Sequence, residues 1–260
     1  MDRKFPRKAF NNSKRSRIFK LGELLAQKMS IDQRLFTPFN LMVSGPSQSG
    51  KSHWIEKFLT HKELLMDIQP QKIFLIYSIY QPAYERMISK NLIHKVIKGL
   101  PKDYMTIENM VMPFRDKGGS MIIIDDGLND LDVNLVKMCE QLSNNAKCSV
   151  IFVTQNLFVD SKIFRRISKQ SHYICLMPNR RNRQELRYLA MQISFCNPKY
   201  VYEAYEDAIK MKKTRDGKVG YGYLLFDLKV SARSNPICTL KTNLFPNELE
   251  PLTIYKEREC

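Results

Sequence analysis

The chain has 260 residues, enough for one large domain or one domain with additions and for a sizeable core. Its 43% hydrophobic and 10% aromatic residues exclude a disordered chain, and no apolar run approaches the length of a membrane span. A net charge of +16 and a pI near 9.6 point to a polyanionic partner, most often nucleic acid.

The charge is uneven along the chain. Residues 1–20 carry eight Lys/Arg against one Asp with almost no apolar periodicity, which reads as a flexible basic arm or a nuclear-import signal. With no apolar h-region there, no secretory signal is expected. Leu21 to Met29 is a short helical candidate. The six cysteines are scattered, with no C-x-x-C and no nearby His pair, so reduced thiols in an intracellular setting are expected. The four histidines form no ligand spacing and read as structural or surface residues.

Residues 40–59 carry the strongest signal. Leu41, Met42 and Val43 can end a buried strand, and Ile55, Phe58 and Leu59 give the apolar face of a following helix. Between them Gly45-Pro46-Ser47-Gln48-Ser49-Gly50-Lys51-Ser52 matches G-x-x-x-x-G-K-[ST], the phosphate-binding P-loop (Walker A). The two glycines let backbone N–H groups turn inward, and the helix adds its positive N-terminal end. Lys51 would reach the β- and γ-phosphates of ATP, and the Ser52 hydroxyl would sit on Mg²⁺.

Beyond the loop, Lys72–Ser78 reads as a strand, a helix starts near Tyr84, and Gly99-Leu100-Pro101 is a turn. A helix over 103–115 precedes a loop at Gly118-Gly119. Met121–Asp125 is an apolar strand, 132–142 a helix, and Cys148–Thr154 another buried strand. Leu157–Gln170 is helical in pattern, His172–Met177 a strand, and 182–194 and 198–212 helices. This alternation predicts an α/β domain built on a mostly parallel sheet. Tyr221–Lys229 and Cys238–Phe245 would add an antiparallel edge or hairpin. The expected divisions are a basic arm at 1–20, one domain at 21–250 and a tail at 251–260.

The chemistry-bearing residues follow this frame. Asp125-Asp126 closes an apolar strand downstream of the P-loop, the Walker B arrangement. Asp125 is the candidate Mg²⁺ carboxylate, acting through the ion's water shell, and Asp126 the group that orients and deprotonates water. Most ATPases of this class have Glu at the second position, one methylene longer. Gln155, after the strand ending in Thr154, would contact the γ-phosphate or the water if its strand lies between the P-loop and Walker B strands. Arg165 is the preferred arginine finger toward a neighbouring subunit and Arg180 the second choice; either could equally be a solvated or DNA-facing arginine. Lys210, Lys212, Lys213, Arg215 and Lys218 form a basic cluster that could touch DNA phosphates or be a plain exposed helix end.

Several strings resemble the packaging ATPases of Polinton and adintovirus-like elements, members of the FtsK–HerA group alongside the poxvirus-type packaging ATPase. They are Val153-Thr154-Gln155-Asn156-Leu157-Phe158, Phe164-Arg165-Arg166-Ile167-Ser168 and Ser171-His172-Tyr173. Further matches are Gly99-Leu100-Pro101, Asn197-Pro198-Lys199, Ala204-Tyr205-Glu206-Asp207-Ala208, Tyr221-Gly222-Tyr223-Leu224 with Asp227, and Thr242-Asn243-Leu244-Phe245-Pro246. The likeness covers roughly residues 38–250. It implies a P-loop NTPase of the ASCE, RecA/FtsK-like type, with the Gln-bearing strand inserted between the P-loop and Walker B strands. It also implies a homo-oligomeric ring that pumps double-stranded DNA into a capsid, with a capsid or portal-vertex protein as a further partner. Two departures stand out: Ser143-Asn144-Asn145-Ala146-Lys147 replaces a His-His-Arg stretch, and Gly127-Leu128 a Leu-Met pair. They bear on contacts between subunits, not on the core chemistry.

The expectation is an ATP-driven motor on duplex DNA, located in a host nucleus or cytoplasm or with the virion, and without a membrane partner. A nucleoside or small-molecule kinase, a helicase with the same core, and a non-hydrolysing scaffold are the alternatives.

Overall fold

The computed structural model describes residues 18–20, 32–101, 103–125, 141–156, 162–179, 181, 183–194, 197–217, 219–230 and 239–257. The strands are β1 (Ile18–Lys20), β2 (Asn40–Ser44), β3 (Lys72–Tyr77), β4 (Lys95–Lys98), β5 (Ser120–Asp125) and β6 (Cys148–Thr154). They continue as β7 (Tyr173–Leu176), β8 (Lys212–Lys213), β9 (Val219–Gly220), β10 (Leu224–Asp227), β11 (Thr239–Thr242) and β12 (Thr253–Tyr255). The helices are α1 (Lys51–Thr60), α2 (Lys62–Leu65), α3 (Pro82–Ser89), α4 (Tyr104–Val111), α5 (Lys162–Gln170), α6 (Arg183–Ile193) and α7 (Pro198–Ala208).

Ten of these strands form one sheet in the order β1-β12-β11-β10-β7-β2-β6-β5-β3-β4. From β7 to β4 every pairing is parallel. On the other side β10, β11, β12 and β1 are antiparallel additions, of which the terminal apolar runs lead one to expect β10 and β11 alone. The sheet thus takes in Thr253–Tyr255 from the segment read as a tail and Ile18–Lys20 from the end of the basic arm.

The central strands are apolar without alternation because both of their faces are covered. Every residue of β2, β5 and β6 is buried. Alternate residues feed two cores. Leu41, Val43, Ile123 and Val153 meet Trp54, Ile55, Phe58 and Leu59 of α1 and Tyr84 and Met87 of α3. Met42, Ile122, Ile124 and Phe152 meet the opposite layer, with Leu186 and Leu189 of α6 and Val201 and Ala204 of α7. Each fully buried aliphatic or aromatic side chain contributes about 2 kcal/mol, so these two cores carry the domain.

Helix α7 ends at Ala208, short of the expected 212, and the stretch after α4 tightens into a 3₁₀ helix, Met112–Lys117. Strand β4 falls where the sequence pattern predicts no strand. Lys212 and Lys213 of the basic cluster are not a helix end: they pair with Gly220 and Val219 as a small antiparallel hairpin. Leu21–Met29 and most of the helix expected at 132–142 lie outside the described residues; 141–146 are helical.

Candidate nucleotide-binding site

The site is built at the C-terminal ends of the parallel strands, where the loops of an open α/β sheet converge. Strand β2 delivers Gly45. Its N–H donates to the carbonyl of Thr154 on β6 at 3.1 Å, and the N–H of Met177, just past β7, donates to the carbonyl of Ser44 at 2.9 Å. The loop is therefore anchored to both neighbouring strands before it turns. Gln48 (φ 64°) and Gly50 (φ 97°) adopt left-handed conformations, and Gly50 precedes the first residue of α1. No side chain caps the first turn of α1, so its N–H groups face the loop.

The residues fit a bound triphosphate. The Ser49 hydroxyl is buried and has no hydrogen-bond partner among the described residues. A Cβ on Gly45 would overlap Met177 and that hydroxyl, so the cradle is held open by the absence of a side chain. The Lys51 ammonium donates to the carbonyls of Gly45 (2.6 Å) and Pro46 (2.9 Å), which holds its charge across the loop.

The metal-binding candidates also converge. Asp125 is 4% exposed at the end of β5, and its Oδ2 accepts a 2.6 Å hydrogen bond from the Tyr84 hydroxyl. The Ser52 hydroxyl donates to Gln81 Oε1 at 2.9 Å, while Gln81 Nε2 reaches Asp125 Oδ2 at 3.5 Å. One amide thus spans the serine and the carboxylate. A hydroxyl and a single carboxylate are hard oxygen donors of the kind Mg²⁺ takes together with water and phosphate oxygens.

Gln81 and Tyr84 were not singled out from sequence. Gln81 is the N-cap of α3, and both sit there because α3 packs on α1 beside β5. The one available signal was position: they follow the strand that pairs with the Walker B strand.

Gln155 stands where its strand order requires. β6 pairs with β2 on one side and with β5 on the other, so Gln155 leaves the sheet between the P-loop and Asp125. Thr154 ends the strand through its hydroxyl, which donates to the Asn156 carbonyl at 2.7 Å and accepts from the Asn156 N–H at 3.3 Å. That tight turn leaves the Gln155 side chain exposed. The chain has a P-loop NTPase fold.

Asp126 and Arg180 lie outside the described residues. Arg165 falls on α5, and its side chain is likewise outside them.

No family model matches the sequence, and no curated protein does. Among solved structures the chain is similar to the genome-packaging NTPase B204 of Sulfolobus turreted icosahedral virus 2, in complex with ATPγS. The identity is 14%, the TM-score 0.47, and the match covers 84% of this chain and 97% of that one. It is also similar to the cytoplasmic domain of the type VII secretion ATPase EccC of Thermomonospora curvata, with 11% identity, 86% and 24% of the two chains, and a TM-score of 0.41. EccC ATPases 2 and 3 with a signal-sequence peptide give 13% identity, 85% and 37%, and a TM-score of 0.35. The chain spans nearly the whole length of the viral protein and well under half of either EccC chain. The assignment of the NTPase fold stands on the chain's own strand order and loop geometry. Among the described residues no helix is long and apolar enough to cross a membrane.

Proposed function

We propose that the chain is an Mg²⁺-dependent ATPase that moves double-stranded DNA, of the FtsK–HerA packaging type. The observation that carries this reading is the insertion of β6 between β2 and β5, which brings the P-loop, Gln155 and Asp125 to one edge of the sheet. The implied sheet order and the three separate sequence signals meet at that edge.

The residues divide the work. The backbone of residues 45–50 and the first turn of α1 cradle the phosphates, and Lys51 holds the β- and γ-phosphates. Ser52 and Asp125 hold Mg²⁺, which when bound neutralises charge on the β- and γ-phosphate oxygens. Gln81 and Tyr84 keep that hydroxyl and carboxylate in place. Asp126 takes the proton from the attacking water as the new bond to the γ-phosphorus forms and the bond to the departing ADP breaks. Gln155 contacts the γ-phosphate or that water and so reports hydrolysis. Arg165 acts on the nucleotide of an adjacent subunit in a homo-oligomeric ring. The basic arm and the 212–220 hairpin hold DNA by its phosphates, without base readout.

Packaging into a capsid, with a portal-vertex protein as partner, follows from the resemblance carried by residues 153–173 and 221–246. A kinase is disfavoured by the Gln-tipped strand and by the net charge of +16.

The test is ATP hydrolysis by the purified protein with and without linear duplex DNA, alongside Asp126→Asn. Stimulation by duplex DNA that the variant abolishes is expected. Phosphate transfer to a small acceptor, indifferent to DNA, would overturn the reading in favour of a kinase.

A further inference from the structure

Sheet order gives the P-loop a direction. Asp125 on β5 and Gln155 after β6 lie on one side of β2, and β7 and β10 lie on the other. A triphosphate whose γ end meets Ser52 and Asp125 therefore sends its nucleoside toward β7 and β10. An open cleft of about 1060 Å³ lies there, bordered by P-loop residues 46–49 and by Pro178, Asn179, Ile209, Met211, Tyr221 and Gly222.

The walls of this cleft are built, not incidental. The Tyr205 hydroxyl of α7 donates to the Met177 carbonyl (3.0 Å) and accepts from the Asn179 N–H (2.9 Å), pinning the turn that carries Pro178. Asn179 Oδ1 in turn accepts from the Arg181 N–H at 3.0 Å. On the facing wall Gly222 passes the end of α7 so closely that a Cβ would overlap the backbone of residues 208–210. That passage seats the Tyr221 ring against Gly50, where the ring occupies the space a side chain on the glycine would need. Tyr221 nonetheless stays 44% exposed, and Met211 71% exposed. An aromatic ring and a thioether left open to solvent beside a phosphate cradle match a flat heteroaromatic base.

We infer that this cleft is the nucleoside subsite, with the base of the bound nucleotide stacked on Tyr221 between the Pro178 turn and Met211. The inference rests on reading residues 45–52 as the phosphate site. It assigns a role to the Tyr221-Gly222 pair: Gly222 lets the chain pass α7, and Tyr221 holds the base.

The two readings separate in one experiment, titration of ATP and of inorganic tripolyphosphate into the full chain by calorimetry. Wild type is expected to prefer ATP. Tyr221→Ala should lower ATP affinity by about 10-fold or more and leave tripolyphosphate affinity unchanged, while Tyr221→Phe keeps both. Unchanged tripolyphosphate binding also reports that the loop is intact in the variant. Equal loss of both ligands, loss of neither, or a wild type that binds the two alike overturns the nucleoside subsite and leaves the phosphate site standing. A wild type that binds neither overturns both. Photolabelling of wild type with 8-azido-ATP needs no variant: label on residues 178–181 or 209–222 is expected, and label confined elsewhere contradicts the inference.

Discussion

Asp125 is a carboxylate almost wholly removed from water, and the Tyr84 phenol donates to it a hydrogen bond of 2.6 Å. A buried carboxylate without such a donor is costly, and a hydrogen bond to a charged group contributes about 2 kcal/mol. Tyr84→Phe should therefore lower stability by about 2 kcal/mol in urea denaturation and raise the Mg²⁺ concentration needed for half-maximal turnover. An unchanged Mg²⁺ requirement would show that Tyr84 supports the fold alone. Gly50 presents the opposite demand, for space and a left-handed backbone at once. Gly50→Ala should weaken ATP binding severely in a calorimetric titration while the cores stay intact. The P-loop and Asp125 were legible because their chemistry fixes residue type and spacing. Gln81 and Tyr84 were not, because a glutamine and a tyrosine at a helix start acquire meaning only when packing of α3 on α1 brings them to Asp125. Arg165 and Arg180 stand apart for a related reason: a finger acts across subunits, and one chain's sequence does not specify that partner.

The parallel strands could be read from the chain because full burial on both faces forces continuous apolar runs. Strand β4 escaped for the converse reason. Its sequence, Lys-Val-Ile-Lys, is four residues long and half-buried at the sheet edge, where terminal lysines discourage further pairing. β1 and β12 are three residues each, too short for a period to show. The order of strands was not in the periodicity at all; the resemblance around Gln155 implied only that its strand lies between those of the P-loop and Asp125. At the junction of β2 and β7, the Asn40 N–H donates to His172 Nδ1 at 2.9 Å, and the His172 N–H donates to the Asn40 carbonyl at 2.8 Å. Burial, with Lys229 nearby, pushes the His172 imidazole down to about 4. An unfolded histidine takes up its proton near 6.5, so between these values the unfolded chain binds more protons than the folded one. Stability is then complete above about pH 6.5 and declines as pH falls toward 4. Burial lowers His53, His61 and His94 as well, adding slope of the same sign. Denaturation midpoints taken across this window should fall with acid, and His172→Gln should flatten the curve.

At the scale of the whole molecule, the site edge and the charge call for one partner. A net charge of +16 favours a polyanion held through its phosphates, so duplex binding should weaken steeply with salt and depend little on sequence. Lys212 and Lys213 lie together on β8 of the small hairpin. Replacing both with alanine should make the plot of log affinity against log salt shallower by roughly 2 units, if each neutralises one phosphate. An unchanged slope would remove the hairpin from the DNA path. The central claim is that hydrolysis at the P-loop moves the protein along closed duplex DNA. Displacement of a triplex-forming oligonucleotide from a linear duplex tests it most directly. The expected result is ATP-dependent release of the third strand with the two duplex strands still paired, abolished by Lys51→Ala. Hydrolysis with no release, or release only with separation of the duplex strands, would contradict a duplex translocase.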